Sequence, residues 1–160
     1  MTEATKRILH DLRQISKECP EGISASPDGD DLMNWTCVIF GPDDTIWEGG
    51  IFQLKMTFTE EYPIKPPKVM FITKMFHPNI YVDGRICLDI LQNNWSPTYG
   101  VIAILSSIQL LLNEPNSSSP ANGEAADLFD RNKREYDRRV KECVELSLID
   151  IEDDEDEDEE

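Results

Sequence analysis

Apolar residues recur along this chain at two spacings, and the switch between them divides it into regions. Ile8, Leu9, Leu12 and Ile15 fall on one stripe at helical spacing, with Lys6, Arg7, Arg13 and Lys17 elsewhere. This predicts a helix over residues 3–18, with Thr2 as its N-cap and Pro20 and Gly22 ending it. Strand-like alternation then takes over. Residues 23–26 read as a short strand, and 33–40 as a second with Met33, Trp35, Cys37 and Ile39 on one face. Residues 51–58 form a third, with Phe52, Leu54, Met56 and Phe58 opposite Gln53, Lys55 and Thr57, and residues 69–72 a fourth. Gly41-Pro42-Asp43-Asp44 and Glu48-Gly49-Gly50 supply turn chemistry between them. Parallel crossovers need about a dozen residues or more, so these short connections predict an antiparallel meander.

Between residues 73 and 99 the periodicity fades, while Gly, Pro, Asn, Asp and aromatic residues persist. A long irregular stretch inside a compact domain is usually either functional or a sign of misassigned elements, and the chemistry is to be sought here. Residues 101–112 are apolar on most faces and uncharged, which predicts a helix buried against the sheet and stopped by Pro115. Residues 122–130 predict a short helix, and Asn132 with Glu135 a capping box that opens the last one. Its apolar stripe is Tyr136, Val140, Cys143, Val144 and Leu148. Arg131, Lys133, Arg134, Arg138, Arg139 and Lys141 make it the most basic part of the chain. One helix, four strands, an irregular segment and three helices amount to an α+β domain.

Charge redraws the boundary of that domain. The 160 residues carry 32 acidic and 15 basic side chains, a net of −17, but ten of the eleven residues from Asp150 to Glu160 are acidic. Without them 22 acids face 15 bases, a net of −7. We therefore expect a folded domain over 1–149, long enough for a self-sufficient core, and an acidic tail over 150–160 too polar to fold. A negative chain without a basic stripe is poorly suited to phosphate backbones, so direct nucleic-acid binding is not expected. Cys19, Cys37, Cys87 and Cys143 are widely spaced, with only His10 and His77 to join them, which argues against a structural zinc. No stretch has the length of a membrane span or signal peptide, so a reducing intracellular compartment and free thiols are expected, with no membrane partner.

The irregular segment holds Cys87, the only cysteine that the pattern leaves outside a regular element. Two readings follow from the residues: a small buried hydrophobe, or a nucleophile lifted to the surface by the Asp83-Gly84 turn. A cysteine hydrolase would want a base, and His77 is the one candidate near in sequence. Without an adjacent base, a thiol of ordinary acidity suits accepting and holding an acyl group from an activated donor more than attacking amides.

Tyr62-Pro63-Ile64-Lys65-Pro66-Pro67, His77-Pro78-Asn79, the run 86–91 around Cys87, and Trp95-Ser96-Pro97 resemble the core motifs of ubiquitin-conjugating enzymes, in register over about residues 4–149. Gln92-Asn93, Ser119-Pro120-Ala121-Asn122, Glu124-Ala125-Ala126 and the terminal acidic run resemble in particular the branch of post-replication repair and histone ubiquitylation. The resemblance implies the ubiquitin-conjugating fold and a thioester of ubiquitin on Cys87, taken from the activating enzyme and passed to substrate lysines with a RING-type ligase. It leaves two roles open to Asn79, oxyanion donor or support of the neighbouring loop, and gives His77 a bracing role. It places Ser119 where an acidic lysine-orienting residue often stands, with Asp89 as a second acidic contributor or simply a turn residue. Lys6, Arg7 and His10 match positions that meet the activating enzyme, or form a solvated basic face. Ile64, Ser96, Pro97 and Thr98 match the ligase-docking loops; many family members also bind a second ubiquitin on the outer sheet face, near Ser24 here, a site that the motifs of this chain do not assign. The resemblance implies no cofactor or metal on this chain, action in nucleus and cytoplasm, and a tail that engages basic proteins such as histones. Two other readings remain: conjugation of a different ubiquitin-like protein, and a noncatalytic ubiquitin-binding scaffold.

Overall fold

The Thr2 hydroxyl accepts a hydrogen bond from the Thr5 N–H at 3.1 Å and so caps the first helix, α1 (Glu3–Lys17). The structure is a computed structural model that describes the backbone of residues 1–158 and the side chains of residues 1–149. Four strands follow α1: β1 (Ile23–Asp28), β2 (Asp31–Phe40), β3 (Ile51–Thr57) and β4 (Lys68–Phe71). They form one antiparallel sheet in the order β1-β2-β3-β4, the expected meander. Cys37 lies opposite both Ala25 and Leu54, and Leu54 opposite Phe71, so the apolar sets of neighbouring strands share one face.

That face belongs to a single core. Trp35, Cys37, Ile39, Phe52, Leu54 and Met56 are fully buried, in one cluster with Ile104, Leu105 and Ile108 of the central helix α2 (Val101–Asn113). Each such large side chain contributes about 2 kcal/mol of hydrophobic stabilisation. α2 buries Val101, Ile104, Leu105, Ile108, Leu111 and Leu112 on one side and leaves Leu110 59% exposed on the other, so its near-continuous apolarity overstates its burial. α1 lies beside α2 and β2, while α3 (Gly123–Arg131) pairs with α4 (Lys133–Asp158), which lies beside β3.

The structure departs from the sequence pattern in four further places. In α4 the buried stripe ends on Ser147 rather than Leu148, which is 39% exposed. The Ser147 hydroxyl satisfies itself in the core, donating to the Val144 carbonyl at 2.6 Å and accepting from the Ile51 N–H at 3.2 Å. Only half of the capping box forms. Asn132 accepts from the Glu135 N–H at 3.3 Å, but the Glu135 carboxylate turns to Arg138 at 2.6 Å. Cys19 also lies outside regular structure, in the turn after α1, where its thiol donates to the Ile23 carbonyl at 2.8 Å. Finally, the helical backbone of α4 continues through Asp158 instead of stopping at 149. The side chains of 150–160, on which the expectation of an acidic tail bears, lie outside the described residues. No described helix is long and apolar enough to cross a membrane.

Candidate active site

Segment 73–99 lacks regular structure, as the fading periodicity predicts, apart from isolated bridges and a single 3-10 turn at Asp89–Leu91. Its order comes instead from a buried turn at His77-Pro78-Asn79. The His77 Nδ1 accepts from the Asn79 N–H at 3.0 Å, which fixes the proton on Nε2, and Nε2 donates to the Leu111 carbonyl at 2.7 Å. Pro78 offers its carbonyl to the N–H groups of Ala121 and Asn122 at 2.7 and 3.0 Å. Asn79 completes the join. Its Nδ2 donates to the carbonyls of Asn116 and Ser119 at 2.7 and 3.1 Å, and its Oδ1 accepts from the Asn116 N–H at 2.7 Å.

The same turn holds Cys87. The Asn79 carbonyl accepts from the Cys87 N–H at 2.8 Å, so Asn79 is the shared partner of the cysteine backbone and of the loop carrying Ser119. Upstream of the cysteine, Ile80 bridges Ile86 and Met70 bridges Arg85. The chain reverses at Gly84, whose φ is +99° and whose absent Cβ would meet the Phe71 carbonyl oxygen at 2.1 Å. Only glycine fits there.

Electrostatics separates the thiols and removes the histidine. Cys37 and Cys143 are buried, and burial pushes their thiols up to about 12 and about 11, which keeps them protonated and inert. Cys87 is half-buried, on the irregular segment. His77 is fully buried, and loss of water around the ring lowers its pKa to about 4. With both ring nitrogens committed and no proton uptake near neutrality, it has no lone pair to offer Cys87. That excludes the cysteine–histidine hydrolase arrangement at this site.

The family of ubiquitin-conjugating enzymes matches residues 7–144. The chain belongs to that family. Ubiquitin-conjugating enzyme E2 3 of Arabidopsis thaliana is 57% identical over 148 residues, covering 92% of this chain and 99% of the relative. Ubiquitin-conjugating enzyme E2 1 of Caenorhabditis elegans is 54% identical over 148 residues, covering 92% and 77%. Ubiquitin-conjugating enzyme E2 2 of Mycosarcoma maydis is 57% identical over 149 residues, covering 93% and 80%. The α+β architecture is accordingly the ubiquitin-conjugating fold, and ubiquitin, an activating enzyme and a ligase are the partner classes that membership carries.

In this conjugating enzyme the remaining singled-out residues fall into three groups. Ser119 is exposed at the loop that Asn79 holds. Asp89 is exposed too, but its carboxylate serves its own turn, accepting from the Ile90 N–H at 2.8 Å and from Asn94 Nδ2 at 3.3 Å. Ile64 is 73% exposed, and Pro97 and Thr98 are exposed beside half-buried Ser96. The Tyr62–Pro63 and Trp95–Tyr99 segments come together, with Trp95 Nε1 donating to the Pro63 carbonyl at 3.0 Å. On α1, Lys6 and His10 point to solvent, whereas Arg7 turns inward. It donates to the carbonyls of Pro97 and Tyr99 at 2.7 and 2.8 Å and to Asp11 at 3.2 Å.

Sequence reasoning missed Asp11 and Asn116. Asp11 falls at helical spacing among Ala4, Ile8 and Ile15, so a carboxylate on an apolar stripe was the available signal. Asn116 takes part through its backbone, which every residue possesses, and nothing in the sequence marks it.

Proposed function

We propose that Cys87 is the acyl carrier of this conjugating enzyme. Its thiolate attacks the carbonyl of ubiquitin bound as a thioester to the activating enzyme. The C–S bond to that enzyme breaks, and its thiolate leaves. In the second step a neutral lysine amine attacks the new thioester, Cys87 leaves as thiolate, and the amine gives up a proton. The observation that carries this reading is a half-buried thiol pinned through its own N–H to a buried Asn, with the nearby imidazole held neutral. A thioester that must survive until a lysine arrives is served by a site without a general base to activate water.

Asn79 supports the loop in this reading, since both Nδ2 hydrogens and Oδ1 are already taken. Ser119 flanks the lysine path and gains an anionic charge on phosphorylation. Asp89 contributes as a turn residue. Lys6 and His10 belong to the α1 face that meets the activating enzyme, whereas Arg7, turned inward, holds the Pro97 loop beneath it; Ile64, Ser96, Pro97 and Thr98 belong to the ligase-docking surface. Membership of the repair and histone-modifying branch, with nuclear and cytoplasmic action, is supported by the sequence cues at Gln92-Asn93 and 119–126. Incubation with activating enzyme, ATP and ubiquitin tests the core of the reading. A thiol-sensitive adduct is expected on a nonreducing gel and is lost in Cys87→Ala. No adduct, or one that survives that substitution, overturns it.

A further inference from the structure

A carboxylate taken out of water is tolerated only where its lone pairs are met, and a buried ion pair seldom stabilises a fold better than apolar residues would. Asp11 is 2% exposed, on the face of α1 that enters the core. Its Oδ2 accepts from the Tyr62 hydroxyl and its Oδ1 from Arg7 Nε at 3.2 Å. A planar guanidinium presents its donors in fixed directions. With Nε set by Asp11, the other two Arg7 nitrogens reach the carbonyls of Pro97 and Tyr99 at 2.7 and 2.8 Å.

One carboxylate thereby reaches two loops and a helix. Tyr62 opens the loop that exposes Ile64, and Pro97 lies in the second loop. Aromatic contacts continue the join, with Tyr62 to Trp95 at 6.2 Å and Trp95 to Tyr99 at 5.8 Å between ring centroids. The second loop closes over the carboxylate at Gly100, where a Cβ would sit 3.0 Å from Asp11 Oδ1. We propose that Asp11 is a positioning residue for ligase engagement, locking α1, the Ile64 loop and the Pro97 loop into one preorganised surface. The proposal rests on the docking reading of those loops given above. A surface fixed before encounter saves the ordering cost that mobile loops impose on binding.

Asp11→Asn keeps the volume and removes the charge that orients Arg7. Tyr62→Phe keeps the ring, removes only the hydroxyl, and carries the test if Asp11→Asn fails to fold. The probe is a RING domain chosen because it stimulates lysine discharge from the wild-type ubiquitin thioester. In either variant the KM for this RING domain should rise about tenfold while the rate at saturation and the ligase-free discharge stay at wild-type values. Hydrogen exchange should quicken over residues 62–65 and 96–100 and stay slow in the sheet. Ile64→Ala serves as the reference for docking. If it raises the KM while both clasp variants leave it unchanged, the positioning role is wrong. If Ile64→Ala also has no effect, the docking reading itself has failed and takes the proposal with it.

Discussion

Asn79 and Asn116 form a reciprocal pair, in which the Asn79 side chain donates to the Asn116 carbonyl and accepts from its N–H, both at 2.7 Å. A side chain so engaged behaves as part of the backbone of two loops. Asn79→Ala removes the three part-buried hydrogen bonds made by a buried side chain, so unfolding stability should fall by about 2 kcal/mol. Chemical denaturation checks this. A donor used only on the transition-state oxyanion would slow lysine discharge with no change in the denaturation midpoint.

Gly84→Ala should be at least as damaging. A side chain there faces both a positive φ and a Phe71 carbonyl oxygen 2.1 Å from the new Cβ. The strand-like pairing that leads into Cys87 would have to open, at a cost of about 2 kcal/mol or more. Thermal unfolding and the yield of ubiquitin thioester report the two parts of that loss, and an unchanged melting temperature would contradict the tight approach.

His77 makes stability depend on pH in a defined window. Its pKa falls from an ordinary 6.5 to about 4 on folding, because burial penalises the imidazolium. The unfolded chain therefore binds this proton first as the pH drops. Stability from His77 is fully present above pH 6.5 and is lost as the pH falls from there towards 4, by up to about 3 kcal/mol. Denaturant titrations across that range should show the slope in the wild type and a flatter curve in His77→Gln. Because the folded imidazole stays neutral until the pH approaches 4, the rate of lysine discharge above that range should show no inflection that disappears in the same variant.

Ser119 is exposed, and the loop beneath it is anchored by its own carbonyl rather than by its hydroxyl. Substitution there should spare the fold and alter only charge. A carboxylate beside an incoming lysine is worth about 1.5 kcal/mol, or roughly tenfold in rate. Ser119→Asp should then discharge ubiquitin to free lysine about tenfold faster than Ser119→Ala, and equal rates would remove the proposed phosphorylation switch.

What the sequence made legible follows the physics of burial. Strand alternation at Phe52, Leu54 and Met56 and the stripe of Ile8 and Ile15 report which faces are dry, and the folded chain buries those faces. Ser147 misled because a hydroxyl can meet its needs inside a helix, through the Val144 carbonyl, where hydropathy alone assigns it to water. Arg7 misled for a related reason. Its charge suggested a solvent-facing helix, but its acceptors, the carbonyls of Pro97 and Tyr99, lie some ninety positions away in sequence and are invisible to any local pattern. The site was legible through its residue types, with His77, Asn79 and Cys87 close in sequence. What each atom of Asn79 does required the loop that begins at Asn116.

The acidic run at 150–160 offers the last test. Ten negative charges in one segment attract basic proteins over about a Debye length, roughly 8 Å at physiological salt, and this attraction fades as salt rises. Among the described residues, Cys87 and its supporting turn form their hydrogen bonds with residues no later than Asn122, so removal of 150–160 should leave thioester formation unchanged. Histone modification should weaken several-fold at low salt and converge with the wild type at high salt. Assays of both substrates across a salt series separate the two possibilities: a handle for basic substrates predicts a gap between the enzymes that closes with salt. A tail serving solubility alone predicts coincident curves at every ionic strength.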